Sequence, residues 1–255
     1  MKKSVFVIVL CCIFNALTLS SCSSAKQIRH QDDFVDITQK IPDIELDIRY
    51  FGEHNFLGAR VDGYLAPKCL LTKEAASALS NVQNELNKHA LTLKIYDCYR
   101  PQQAVDHFVR WAKDVDDVKT KKEFYPTVDK VNLFKDGYIS EKSGHSRGST
   151  IDLTIVPLPV PKQEEYFPEQ DLHECYLDIN KRFKDNSIDM GTGFDCFHTQ
   201  SHTENKTIGY QQRVNRMLLK TLMEKHGFKN YAKEWWHFTL DDEPYPDTYF
   251  DFPIE

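Results

Sequence analysis

Apolar residues recur at three- and four-residue intervals over three stretches of the chain. Leu71, Ala75, Leu79, Val82 and Leu86, with Lys and Glu between them, predict a helix from Leu70 to His89. Val105, Phe108, Val109 and Ala112 predict a second, opened by Pro101 at a position where proline is welcome. Val214, Met217, Leu218 and Leu222 predict a third from Tyr210 to His226, those four facing inward and Gly227 acting as the stop. Strict alternation takes over from Leu91 to Tyr96, where Leu, Leu and Ile face one way and Thr, Lys and Tyr the other, and predicts a strand. Ile151–Val156 and Trp235–Leu240 predict two more. The four prolines between Pro157 and Pro168 mark a loop, which is expected to continue to about Asn205 with one short helix near Leu172–Phe183. Helices scattered among few strands favour an α+β fold over a doubly wound sheet.

The amino-terminal pattern belongs to none of these elements. Lys2 and Lys3 precede an apolar run, Val5–Leu17, that is too short to span a bilayer comfortably. Leu19-Ser20-Ser21-Cys22 then resembles a bacterial lipoprotein signal. The expectation is a signal peptide at 1–21, a lipidated Cys22 with a tether over 22–33, and one domain over 34–255. Such a protein is exported and lipid-anchored to a bacterial membrane, facing the periplasm or the exterior. Removing residues 1–21 deletes two lysines and no acids, so the net charge moves from −6 to −8. That balance argues against nucleic acid or an anionic membrane surface as a partner and leaves the lipid as the only membrane contact. The oligomeric state is not legible.

Of seven cysteines, Cys11 and Cys12 leave with the signal and Cys22 carries lipid. Cys69, Cys98, Cys175 and Cys196 remain, an even number in an exported chain, which suggests disulfides. Four cysteines allow three pairings. Cys69–Cys98 with Cys175–Cys196 is preferred because each pair brackets one local segment; free buried thiols are the alternative.

Candidate chemistry gathers in two segments, Ser143-Gly-His145-Ser-Arg-Gly148-Ser-Thr-Ile-Asp152 and Glu234-Trp-Trp-His237-Phe. An aspartate on an otherwise apolar strand is expensive unless something compensates its charge. Two imidazoles and a carboxylate form a typical protein set for one catalytic zinc per chain, with a position left for water. Glu234 beside the last ligand can take a proton from that water. A flat strand would turn Glu234 and His237 to opposite faces, so a bend or bulge is required, or a strand that begins after Glu234. Arg100 ends a strand just before a helix, where a fixed guanidinium could stabilise an oxyanion or hold a carboxylate. The remaining histidines lack the company that marks His237, and the i, i+4 pair His198 and His202, without a nearby partner Glu, reads as loop residues.

Together these segments resemble the zinc D-alanyl-D-alanine dipeptidases of the vancomycin-resistance type. The resemblance runs from about Asp47 to Glu255. It includes Arg49-Tyr50, Val61-Asp62-Gly63-Tyr64, Asp97-Cys98-Tyr99-Arg100-Pro101, Met190-Gly191-Thr192-Gly193-Phe194-Asp195 and the Tyr- and Pro-rich ending. It implies a small antiparallel sheet flanked by helices, the hedgehog/D,D-peptidase-like zinc fold. It also implies zinc on His145, Asp152 and His237, Glu234 as base and then acid, and Arg100 at the transition state. Asp195 would take the ammonium of a dipeptide, with Ser143 and Tyr50 seating the substrate. Two features depart from the family pattern: Cys98 stands where glycine is common, and the connection from Leu158 to Asp189 is long enough to reshape the mouth of the site. The implied reaction is hydrolysis of D-alanyl-D-alanine in cell-wall turnover or salvage. The rival readings are a D,D- or L,D-carboxypeptidase trimming stem peptides, and a non-catalytic zinc module.

Overall fold

In chain order the strands are β1 (Phe34–Asp36), β2 (Glu45–Leu46), β3 (Leu70–Thr72), β4 (Leu91–Asp97), β5 (Thr150–Pro157), β6 (Phe228–Asn230) and β7 (His237–Leu240). The helices are α1 (Lys73–Asn87), α2 (Gln102–Lys113), the single turns α3 (Lys121–Phe124) and α4 (Leu133–Asp136), and α5 (Tyr210–Lys225). The computed structural model describes residues 31–255, of which Phe34–Glu255 form one compact unit. The signal segment 1–21 and Cys22 lie outside the described residues. No helix among the described residues is long and apolar enough to cross a membrane.

Five strands form one sheet in the order β2-β4-β5-β7-β6, and β1 pairs with β3 apart from it. The fold is mixed α+β. The sheet is not wholly antiparallel as expected: the two-residue edge strand β2 runs parallel to β4. Central β5 is buried along almost its whole length, so both of its faces contact protein rather than one facing water. Lys94 is therefore buried despite its place in an alternating pattern, and its ammonium meets Asp47 Oδ2 at 3.0 Å.

Three local expectations are corrected. The segment 70–72 is a strand rather than the start of a helix: it pairs with β1, and Thr72 then caps α1 by accepting from the Ala75 amide. Residues 172–183 form turns, not a short helix. Helix α5 has the predicted extent but buries a different face. Arg216, Leu219 and Met223 point inward, while Val214, Met217 and Leu218 are 41%, 45% and 38% exposed. The cause lies in what α5 packs on. Arg216 Nε donates to the Met190 carbonyl at 2.6 Å and Nη1 to that of His202 at 2.7 Å. Asn215 and Gln212 bind Asp189 from the same side. The helix is oriented by loop carbonyls that need donors, a demand that hydrophobic periodicity does not register.

Candidate metal centre

The site is a row across the sheet. Asp152 on β5 lies opposite Asp97 on β4 and opposite His237 on β7. The first pairing depends on an irregularity in β4: Ile95 faces Leu153, and Asp97 rather than Tyr96 faces Asp152. One extra residue shifts the parity of the strand and brings Asp97 level with Asp152. His145 arrives from outside the sheet, in a 3-10 turn at Gly144–Arg147 that feeds β5. Ser143 caps that turn by accepting from the His145 amide at 3.3 Å. Gly148 ends it in the left-handed region, φ +85°, with Phe34 packed where a side chain would stand.

Strand β7 begins at His237, not at Trp235. Glu234 precedes it in a turn in which the His237 amide reaches the Glu234 carbonyl at 3.4 Å. Asn230 Nδ2 donates to both carbonyls, 234 and 237, at 3.0 Å. This turn resolves the i, i+3 difficulty and brings Glu234 Oε2 within 3.5 Å of His237 Nδ1.

His145, Asp152 and His237 each offer one donor atom, and these atoms lie within 4.8 Å of one another. His145 Nε2 is 3.3 Å from Asp152 Oδ2, and His237 Nδ1 is 3.0 Å from Asp152 Oδ1. Asp152 Oδ1 is nevertheless a buried oxygen that accepts no hydrogen bond. Two imidazoles converging on a carboxylate whose oxygen is left unmatched fit a divalent cation of the zinc type. Burial alone would raise the Asp152 carboxyl, but the two histidines outweigh it and hold it well below the usual range. Burial lifts Glu234 to about 7, with the Asp152 charge helping and the His237 ring opposing.

Arg100 is buried, not a surface ion-pair partner. Its Nη2 lies 2.8 Å from Asp97 Oδ2 and 3.6 Å from Asp152 Oδ2, and Nη1 donates to Ser143 Oγ at 3.4 Å. The Tyr50 and Phe108 rings flank its guanidinium, each with the centroid at 4.9 Å. Tyr50 donates to Asp195 Oδ2 at 2.7 Å. Burial and the nearby Asp152 charge push the Asp195 carboxyl well above its ordinary range. Arg100, Ser143, Tyr50, Asp195, Glu234 and the three donor residues line one cavity of about 290 Å³.

Two residues that carry this arrangement were not singled out from the sequence. Asp97 is fully buried, takes the Arg100 fork, accepts from Tyr64 at 2.5 Å and lies 3.4 Å from His145 Nδ1. Tyr64 owes its place to that contact. The available signal was the same one that marked Asp152, an acid at the end of an apolar strand. The structure bonds Cys69 to Cys98 and Cys175 to Cys196.

The sequence model of the family described as D-ala-D-ala dipeptidase matches residues 30–158 and 176–255. Four curated relatives carry the name D-alanyl-D-alanine dipeptidase. The chain is 36% identical to one from Streptomyces coelicolor over 87% of its length and 98% of the relative's. It is 36% identical to one from Enterococcus faecalis over 88% and 99%, and 31% identical to one from Escherichia coli over 82% and 84%.

Proposed function

The chain belongs to the D-ala-D-ala dipeptidase family, and from that premise we propose that it is a zinc metallopeptidase hydrolysing D-alanyl-D-alanine to two molecules of D-alanine. The observation that carries the reading is the convergence of His145, Asp152 and His237 beside a half-buried Glu234. His145, Asp152 and His237 would hold the zinc. Bound there, the metal supplies an acidified water and polarisation of the scissile carbonyl.

The chain's own groups do the rest. Glu234, lifted to about 7, removes a proton from the attacking water and later delivers it to the departing amine. Arg100, fixed by Asp97 and by two aromatic faces, presents its guanidinium to the negative charge developing on the carbonyl oxygen. Asp195 is a buried carboxyl whose one side-chain hydrogen bond among the described residues comes from the Tyr50 hydroxyl at 2.7 Å. A substrate ammonium supplies the missing cation and restores the carboxylate. A peptide extended at its amino end has no such cation and leaves that acid unpaired, which is the basis for cutting dipeptides alone. Ser143, at the cavity wall beside Arg100, helps seat the substrate.

The sheet with its flanking helices is read as the zinc D,D-peptidase, hedgehog-like fold. The Leu19–Cys22 segment supports a lipid anchor on Cys22 and action outside the cytoplasmic membrane, on dipeptide arising in cell-wall turnover.

Purified zinc-loaded protein should cleave D-Ala-D-Ala and leave an N-acetylated tripeptide intact. Chelation should abolish the activity and added zinc restore it. Glu234→Ala should lower kcat by roughly 10³-fold with zinc retained. Full activity of that variant, or faster cleavage of the blocked tripeptide, would overturn the reading.

A further inference from the structure

Each cystine ends beside one half of the site. Cys98 lies between Asp97 and Arg100, and Cys196 directly follows Asp195. We propose that the two bridges are positioning devices with separate duties: Cys69–Cys98 orients the His145 imidazole toward the metal, and Cys175–Cys196 holds Asp195 where it meets the substrate ammonium. The inference rests on the functional reading above, on its zinc for the first duty and on its dipeptide substrate for the second.

The first duty follows from the path of the chain after β4. Past the bulge the strand leaves the sheet, so the 98–100 backbone has no ladder to hold it. The Cys98 carbonyl accepts from His145 Nδ1 at 2.7 Å. That bond places the proton on Nδ1 and leaves the Nε2 lone pair facing Asp152, 3.3 Å away. The position of the carbonyl is fixed from both ends. Cys98 is covalently tied to Cys69, whose carbonyl accepts from Ile37 at 2.9 Å, and the next amide, Tyr99, donates to Leu70 at 2.9 Å.

The second duty follows from the backbone at Asp195. It sits at φ +55°, a left-handed conformation that a non-glycine residue keeps only when its surroundings impose it. The Gly193 amide donates to the Cys175 carbonyl at 2.8 Å, the Cys175 amide to Glu123 at 3.0 Å, and the Phe197 amide to Phe124 at 2.8 Å. The covalent bond to Cys196 closes this frame around Asp195. Cys175 is also the last residue of 159–175, the stretch that the family model does not match, so this part of the frame is built by residues outside the shared pattern.

A bridge that only restricts the unfolded chain lowers the melting temperature when removed and changes nothing in the folded site. The proposed duties differ from each other and from that. The test compares the full chain with Cys69→Ala/Cys98→Ala and with Cys175→Ala/Cys196→Ala, well below their unfolding temperatures. Zinc affinity is read by chelator competition, and KM and kcat are read on zinc-saturated protein with D-Ala-D-Ala. Removing the first bridge should weaken zinc binding roughly 10- to 100-fold, the range seen when a ligand's supporting partner is lost, with KM within about twofold. Removing the second should raise KM on the order of tenfold, as when a charge-assisted contact is weakened, with zinc affinity within about twofold. The same pairs as Cys→Ser serve where the alanine pair does not fold. Equal effects of the two removals, or a lowered melting temperature alone, overturn the proposal. Failure of both substitution types to fold also overturns it, because the bridge is then a requirement of the fold. Wild-type protein inactive on D-Ala-D-Ala would sink the functional reading instead, and the zinc measurement then decides alone.

Discussion

Asp97 joins the two chemistries of the site. One carboxylate oxygen takes the Arg100 fork, at 2.9 Å from Nε and 2.8 Å from Nη2; the other accepts from Tyr64. Burial pushes this carboxyl upward, and the Arg100 and His145 charges oppose it. Asn in its place keeps the shape but leaves the buried guanidinium short of a counter-charge, which is costly in a dry site. Asp97→Asn should therefore lower kcat/KM by at least roughly tenfold through kcat. Steady-state kinetics alongside a melting curve check this; unchanged kcat would show that Arg100 needs no such anchor. At this scale much was legible. Asp152, Glu234 and His237 stand out in the sequence because each is a costly group in an apolar setting, and His145 because it sits in a Ser- and Gly-rich turn just ahead of Asp152. Asp97 obeys the same rule, with Arg100 only three residues on, but the Tyr64 hydroxyl that completes its surroundings comes from a segment more than thirty residues away.

Among the elements, the turn at Gly144–Arg147 and the bulge in β4 set the geometry. Gly148 shows how narrow the tolerance is. A Cβ there would stand 2.2 Å from Phe34 Cε1 and 3.2 Å from Thr72 Cγ2, on a backbone at φ +85°. Phe34 is itself wedged among Tyr99, Phe250 and Phe252 and has no room to retreat. Gly148→Ala should cost roughly 1–3 kcal/mol or more in denaturant unfolding and should weaken zinc binding, because the same turn carries His145. Wild-type stability in the variant would mean that the turn can refit. The element types and most of their extents were readable from periodicity. The inward face of α5 and the strand at 70–72 were not. Both were decided by partners far away in sequence: loop carbonyls that needed Arg216, and β1 that needed an edge.

Across the whole molecule, the 159–175 stretch packs against a buried polar cluster. Tyr166 stacks on His54 at 4.3 Å between centroids, and Gln163 bonds to Lys94. His54 accepts from Arg49 on one ring nitrogen at 3.0 Å and faces Glu123 at 2.8 Å with the other. Arg49 also takes Asp47 at 2.8 Å. Burial by itself would raise the Asp47 carboxyl, but Arg49 and Lys94 outweigh it and hold it well below the usual range. A carboxyl depressed in the folded state stabilises above its unfolded pKa, about 4, and loses that contribution as pH falls further. Asp47→Asn should therefore be less stable than the wild type at pH 7, with the gap narrowing between about pH 4 and pH 2. Urea midpoints across that range measure it, and a gap independent of pH would show that the Asp47 charge contributes nothing to stability.

The order of residues was enough for the mixed α+β class, for the main helices and strands, and for His145, Asp152, Glu234 and His237 as the groups that carry the chemistry. Those are properties of local periodicity and of side-chain solvation, and both are written in the order of residues. It took the folded chain to set Asp97, Asp152 and His237 abreast on three strands, to bury Arg100 between two aromatic rings, and to bring each cystine against one half of the site. Strand register, helix rotation and the closing of a cavity depend on contacts between segments scores of residues apart. Their energies appear only once those segments meet.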